Sequence, residues 1–479
     1  MKRILYAASE CVPFVKTGSL ADVVGSLPKY INRDEFDIRI ILPKYNLIPD
    51  KLKEQMEYRT HFYMNFSHKN QYVGLFEAAL AGITYYFIDN EFYFANSTPY
   101  GNIYDDIERF AFFCKACLTA LPVLDFKPDI IHCHDWQTGL LPVFLKEMAK
   151  DNRFYNDIKT IMTIHNLKSQ GVWDIKTVKD ITGLPDSYFA PDKLGSFGNV
   201  NYLKGGIVFA DYITTVSKSY AKEITTPFFG EGLDGLLRAK RNVLTGIVCG
   251  IDYEKYNPET DPFLYQNYNK SNFRMEKIKN KRALQKELGL EVNDSKFLIG
   301  IVSRLTDQKG LDLIDCVLEE LCSDKDIQLV VLGSGEQKYE NLFRYYAKEH
   351  KDRISANIYY SEEKMHKIYA GCDAQLMPSL YEPCGLSQLI SLRYGTVPII
   401  RETGSLKDTV EPYSEFESTG TGFSFTNYNS HEMLNILRYA KYIYFNKKAE
   451  WEKIIERGME KNYSWNNSAR QYEELYQHI

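Results

Sequence analysis

Thr17-Gly18-Ser19-Leu20-Ala21-Asp22-Val23-Val24 and Thr403-Gly404-Ser405-Leu406-Lys407-Asp408-Thr409-Val410 are one phrase, T-G-S-L-x-D-x-V, written twice in the chain. Each copy follows an apolar strand run, after a longer loop in the first and closely in the second, and each opens a helical pattern. A glycine there permits close backbone approach, a serine can cap, and the free N–H groups with the helix dipole favour an anion or a sugar hydroxyl. Taken alone, the phrase is equally a pair of ordinary helix N-caps.

The surroundings of the two copies repeat as well. Arg3–Ala8, Ile38–Leu42, Asp129–His132, Lys159–Thr163 and Tyr212–Val216 read as short apolar strands. Between them lie amphipathic helices such as Asp106–Leu121, whose Ile107, Phe110, Ala111, Cys114, Cys117, Leu118 and Leu121 keep the 3.6-residue period. A parallel sheet covered by helices follows. A second series starts at Phe297–Val302 and continues through Gln328–Leu332, Ala374–Met377 and Val397–Ile400. Turn chemistry from Pro258 to Pro262 puts the lobe boundary near 245–265. The expected division is 1–248, 249–455 and a terminal helical stretch over 456–479.

At 479 residues the chain has room for two to four domains. Its 44% hydrophobic and 25% charged residues exclude collagen-like, disordered and membrane-spanning classes. Lys+Arg 58 against Asp+Glu 63, net −5, excludes a general nucleic-acid binder or a polybasic membrane protein. Any anionic ligand must therefore be held by a local site. Lys2-Arg3 before Ile4–Ala8 superficially suggests a secretory leader, but the apolar run is too short and Glu10 interrupts it, so a first buried strand is expected. Nine scattered cysteines predict reduced thiols, no disulfides and a cytoplasmic protein.

Several polar residues converge on strand ends. Arg304 follows Phe297–Val302, and Lys309-Gly310 precedes the helix opening at Leu311, the position where open α/β sheets bind ligands. Together they can hold a diphosphate and neutralise a leaving group; a solvated basic loop fits the spacing equally. Glu382-Pro383-Cys384-Gly385-Leu386 follows Ala374–Met377 and is expected to open a helix through Tyr394 ended by Gly395. Glu382 then sits beside the free amides of Cys384, Gly385 and Leu386, suited to several sugar hydroxyls; a mere capping carboxylate is the alternative. Asp135, Trp136 and His165-Asn166 end two further strands.

Other motifs carry less. His132-Cys133-His134-Asp135 looks like a metal cluster, but alternate strand residues face opposite sides. Cys114 and Cys117 lie on an apolar helix face with no second pair, which favours core packing over zinc. Gly333-Ser334-Gly335 is a truncated dinucleotide fingerprint, and Asp324-Lys325-Asp326 lies at the wrong end of a strand for a site.

Lys16–Asp22, Asp129-Ile-Ile-His-Cys-His-Asp-Trp-Gln137, Thr163-Ile-His-Asn166, Asn201-Tyr-Leu-Lys-Gly-Gly206 with Thr214–Ser217, Arg304 to Lys309, and Tyr381-Glu-Pro-Cys-Gly-Leu386 together resemble bacterial glycogen synthases and plant starch synthases, in order and from Lys2 to the end. The resemblance implies a GT-B glycosyltransferase: two Rossmann-like doubly wound α/β lobes, the donor site in the cleft between them, and a C-terminal helix returning to the N-terminal lobe. The implied reaction moves glucose from ADP-glucose to the non-reducing end of an α-1,4-glucan with retention and without a metal or other cofactor. By the same resemblance, Arg304 and Lys309 hold the diphosphate, and Glu382, Cys384 and Gly385, with Leu386, bind glucose hydroxyls. His165 meets the donor glucose near its 6-hydroxyl, Asp135 lies near the reacting centre, and Tyr360 stacks on adenine. Lys16, Gly18, Asp22, Asn166 and Thr403 join the donor site, and Tyr100 lies on the acceptor side.

Three positions depart from the family's pattern. Ser19 and Ser405 stand where the family usually has glycine, and Val248-Cys249-Gly250-Ile251-Asp252 stands where it usually has L-N-G-I-D. Cys249 lacks the amide of an Asn, so a buried partner is expected to be left poorly satisfied, at about 1–3 kcal/mol. Competing readings are a synthase using UDP-glucose or another acceptor, a weakly active glucan-binding relative, and a nucleotide-dependent dehydrogenase. The last needs a G-x-G-x-x-G directly after a strand and opening a helix, which Gly333-Ser334-Gly335 does not complete.

Overall fold

The structure, a computed structural model, describes residues 1–95 and 98–479. It divides into two compact units, Met1–Ile247 with Trp465–Ile479, and Val248–Ser464. Residues 456–464, expected with the terminal helix, belong to the second unit, where the helix Lys448–Glu460 packs on that unit's own core.

The first unit carries β1 (Lys2–Ala7), β2 (Phe36–Pro43), β3 (Glu57–Phe66), β4 (Lys69–Leu80), β5 (Ile83–Asp89), β6 (Ile130–His134), β7 (Lys159–Ile164), β8 (Val172–Asp174), β9 (Gly195–Ser196), β10 (Asn199–Asn201), β11 (Tyr212–Thr215) and β12 (Leu244–Gly246). Nine of them form one sheet in the order β12-β11-β7-β6-β1-β2-β5-β4-β3. The run from β12 to β5 is parallel, and β4 and β3 add an antiparallel edge. β8, β10 and β9 make a small separate antiparallel sheet. The central strands are buried on both faces, as expected of continuous apolar runs in a parallel sheet. The helix Ile103–Val123 extends slightly beyond the amphipathic stretch and buries its Phe, Ala and Cys face.

The terminal helix Trp465–His478 clusters with this unit and buries Trp465, Ala469, Tyr472 and Tyr476. The Tyr476 hydroxyl meets the Tyr6 hydroxyl and, at 2.8 Å, His132 Nδ1; Lys2 Nζ donates to the Tyr476 carbonyl at 2.7 Å. Full burial stabilises by about 1.5–3 kcal/mol for each such large side chain.

The second unit carries β13 (Phe297–Val302), β14 (Ile327–Leu332), β15 (Ile354–Asn357), β16 (Ala374–Met377), β17 (Val397–Arg401) and β18 (Phe423–Phe425). They form one parallel sheet in the order β15-β14-β13-β16-β17-β18. On β13, Phe297, Ile299 and Ile301 pack into one core while Leu298 packs into another on the opposite face. No helix among the described residues is long and apolar enough to cross a membrane.

Candidate active site

In each unit the winding reverses beside the first strand. β1 lies between β2 and β6, and β13 between β14 and β16. The crevice at the carboxyl ends of such a switch point is where doubly wound sheets take ligands.

In the second unit, the loops after β13, β16 and β17 meet at that edge. Gly310 has φ 69°, and a Cβ there would fall 2.0 Å from the Pro378 carbonyl, so only glycine lets the Arg304–Lys309 loop lie against the end of β16. The two loops are then stitched together. Leu380 N donates to the Gln308 carbonyl (2.9 Å), Lys309 Nζ pairs with the Glu382 carboxylate (2.5 Å), and Ser379 Oγ donates to the same oxygen (3.0 Å). Glu382 is buried, and Arg304 is exposed. Gly333 and Gly335 also have a job here: a Cβ on them would fall 1.8 Å from the Ser303 carbonyl and 2.4 Å from the Leu305 carbonyl. Leu305 N donates to the Ser334 carbonyl at 2.9 Å. The Gly-Ser-Gly run thus holds the backbone on both sides of Arg304.

The local geometry of Glu382 differs from expectation. Glu382–Leu386 is a loop, and the helix begins only at Ser387 and ends at Arg393, with Gly395 at φ 66° beyond it. The loop's shape comes from the second T-G-S-L copy. Gly404, at φ 46°, lets the Glu382 carbonyl approach to where a Cβ would be 2.1 Å away. Ser405 N donates to that carbonyl (2.9 Å), Ser405 Oγ also donates to it (3.2 Å), and Gly385 N donates to Ser405 Oγ (2.7 Å). The Gly385 and Ser405 amides are therefore not free for a ligand. A hydroxyl twenty residues away takes one and a main-chain carbonyl takes the other. Thr403 is buried at the N-cap of the helix Gly404–Thr409 without a side-chain cap bond. Cys384 Sγ donates to Cys249 Sγ at 2.8 Å. Tyr360 lies just past β15 with its side chain 72% exposed.

In the first unit, the adjacent strands β7, β6 and β1 end at His165, Asp135 and, three residues past β1, Glu10. Asp135 has φ 58°, a conformation costing a non-glycine residue about 1–3 kcal/mol. The strain is held by Asp135 Oδ1 accepting the amides of His165 (2.7 Å) and Asn166 (3.4 Å). Burial pushes the Asp135 carboxyl up to about 7 against those amide bonds, and the nearby Glu10 charge adds to the rise. His165 is buried and pushed down to about 3, hence neutral. Its Nε2 meets His134 Nδ1 at 3.0 Å, and its Nδ1 has no hydrogen-bond partner. A buried, unsatisfied ring nitrogen fits a ligand hydroxyl. The rings of His132 and His134 stack 4.3 Å apart on one side of β6, as strand alternation requires.

At the first T-G-S-L copy the protein supplies its own anion. Thr17 N and Oγ1 donate to Glu10, and the Tyr100 hydroxyl donates to Glu10 Oε1 at 3.1 Å while bonding Ser9 Oγ at 2.8 Å. Burial raises the Glu10 carboxyl while the bonds from Thr17, Tyr100 and the Gly18 amide lower it. Gly18 has room for a Cβ within the chain, whose nearest neighbour would be Glu10 Oε1 at 4.0 Å, so no protein group requires glycine there. Lys16 pairs with Asp22 at 2.7 Å. Sequence reading gives Glu10 no place in the site; an acidic residue three positions past the first buried strand is the available signal.

A family profile described as starch synthase catalytic domain matches residues 3–239, and one described as glycosyl transferases group 1 matches 285–453. The glycogen synthase of Lachnoclostridium phytofermentans is 68% identical over 479 residues, covering 100% of both chains, and that of Lachnospira eligens is 65% identical over 476 residues, covering 99% of both. The chain belongs to the glycogen synthase family. It is therefore a glycosyltransferase, and its two α/β units are those of the GT-B fold. The catalytic domain of starch synthase IV from Arabidopsis thaliana, solved bound to ADP and acarbose, superposes with a TM-score of 0.90 at 32% identity, covering 100% of this chain and 99% of that one. Sucrose-phosphate synthase from Thermosynechococcus elongatus, at 15% identity and TM-score 0.63, shares the fold. The dehydrogenase reading is thereby set aside.

Proposed function

We propose that this chain extends α-1,4-glucan in the cytoplasm by transferring glucose from ADP-glucose to the non-reducing end with retention of configuration, using no metal. The observation that carries the reading is the stitched pair of loops at the β13/β16 switch point, which presents Arg304 and the Lys309–Glu382 pair together. Arg304 forks onto the diphosphate, and Lys309, anchored by Glu382, adds a second fixed charge. As the C1–O bond to the diphosphate breaks, these cations take up the charge on the leaving oxygen that a metal would otherwise take. The acceptor 4-hydroxyl forms the new bond to C1 and gives its proton to the departing phosphate. His165 Nδ1 meets the glucose 6-hydroxyl, Glu382, Cys384, Gly385 and Leu386 line the sugar, and Tyr360 stacks on adenine. Asp135 stands near C1, and Tyr100 serves the acceptor side through Glu10. ADP in the starch synthase IV structure supports an adenine nucleotide as the donor's base over uridine.

The test is glucose transfer to glycogen from ADP-glucose and UDP-glucose in parallel, each with and without EDTA. Transfer from ADP-glucose that is unaffected by EDTA is expected. Preference for UDP-glucose, or loss of transfer in EDTA, would overturn the donor or the metal-free mechanism respectively.

A further inference from the structure

We propose that Cys249 and Cys384 form a modification site: a dithiol that closes to an intramolecular disulfide and arrests the enzyme until it is reduced. Both are thiols in the structure, and their sulfurs lie 2.8 Å apart. A disulfide needs about 2.05 Å, so closure asks for roughly 0.8 Å of approach. Neither residue is fixed in a helix or strand. Cys384 is in the loop between β16 and the helix at Ser387, and Cys249 is in the irregular segment after β12, two residues past the point where the chain leaves the first unit. The pair keeps a little exposure, 6% and 7%, whereas Cys117, Cys133 and Cys372 have none. The two residues are thus less enclosed than those core thiols.

The oxidant is a low-molecular-weight disulfide. The Cys384 thiolate attacks one of its sulfurs and expels a thiolate, leaving a mixed disulfide. Cys249 then loses its proton to solvent and attacks Cys384 Sγ, expelling the second thiolate. The two protein thiols together lose two electrons and two protons, and the small disulfide becomes two thiols. A dithiol reductant reverses both steps.

The effect on transfer rests on the function proposed above; the covalent bond does not. Cys384 lies between Glu382, which holds Lys309, and Gly385, which is held by Ser405. Drawing Cys384 toward Cys249 moves that loop by a large fraction of an ångström. Displacement on the order of 1 Å at a positioned site costs about 10²-fold in rate, so a loss of roughly tenfold or more is expected.

The experiment treats reduced full-length protein with glutathione disulfide, blocks the remaining thiols and digests it, with transfer from ADP-glucose measured on the same samples. The expected result is a Cys249–Cys384 linked peptide that accumulates as transfer falls, both reversed by dithiothreitol. Cys249→Ser should instead carry glutathione on Cys384. Phenylarsine oxide, which bridges neighbouring thiols, should bind the untreated protein at this pair and fail to bind it in Cys249→Ser or Cys384→Ser. Glutathione on exposed Cys316 with no linked peptide would overturn the proposal, as would a linked peptide with transfer unchanged. If the reduced protein transfers no glucose, the functional reading fails, while the peptide and the arsenical still report on the dithiol.

Discussion

Replacing Gly404 by alanine tests how the second T-G-S-L copy builds the site. At φ 46° an alanine pays the left-handed penalty, about 1–2 kcal/mol. It also puts a Cβ 2.1 Å from the Glu382 carbonyl oxygen, and ordinary contact starts at 3.4 Å, so that carbonyl must retreat by about 1.3 Å. The carbonyl belongs to the residue that anchors Lys309. A shift of that size at a positioned catalytic group is worth about 10²-fold in kcat. Gly289 provides the control: it has φ 70°, and nothing lies within 4 Å of where its Cβ would be. Gly289→Ala should therefore lose only the left-handed penalty, about 1–2 kcal/mol by denaturant midpoint, while keeping its turnover. Gly404→Ala should lose stability and about two orders of magnitude in turnover, measured as glucose incorporated into glycogen at saturating donor. Equal turnover in the two variants would refute the claim that Gly404 is there to seat the Glu382 loop.

Arg304→Ala and Lys309→Ala should each lower kcat on the order of 10²–10³-fold, whereas a rise in donor KM alone would mean uniform binding. Lys309→Ala should also lower the thermal midpoint, since it strands the buried Glu382 carboxylate. Cys249→Asn should raise kcat/KM for ADP-glucose, with Ser19→Gly changing it less; an unchanged or lower value would mean the pocket is built around the thiol pair. Ser405→Gly removes the hydroxyl joining Gly385 N to the Glu382 carbonyl and should cost about 1 kcal/mol by denaturant midpoint. Burial pushes His132 and His165 down to about 3 and holds His134 well below its usual range. The unfolded chain therefore takes up these protons below about pH 6.5 while the folded chain does not, and stability from the cluster is lost as pH falls from there. Asp135, raised to about 7, works the other way with a single proton. The three histidines outweigh it, so the urea midpoint should drop between pH 7.5 and 5.5, and a flat or rising profile would contradict the burial argument.

The parallel strands were legible because burial on both faces leaves continuous apolar runs. Phe297–Val302 and Ala374–Met377 coincide with β13 and β16. The β3/β4 hairpin escaped because its outer strand mixes exposed Tyr58, His61 and Tyr63 with polar residues and shows no clean alternation. β15 and β18 lie at the two edges of their sheet, where Ser355, Asn357 and Ser424 interrupt any apolar run. The strand-end positions of Asp135, His165, Arg304 and Glu382 could be read from sequence because a strand's carboxyl end is a local property. What occupies an amide is not local. The contacts of Ser405 with Gly385, Thr17 with Glu10, and Cys249 with Cys384 depend on which loops the sheet order brings together.

The terminal helix sets a schedule for making this protein. Tyr476 closes over Tyr6 and His132, in strands that leave the ribosome early. At roughly 5–20 residues per second, the residues between Ile247 and Tyr476 take about 10–50 s to synthesise. Throughout that interval the first unit has its whole sheet but lacks the helix that covers one side of it. A nascent chain stalled or cut before Trp465 thus presents an exposed apolar seam on an otherwise complete domain, a substrate for chaperones and for aggregation, so truncation there would damage the first unit more than the second.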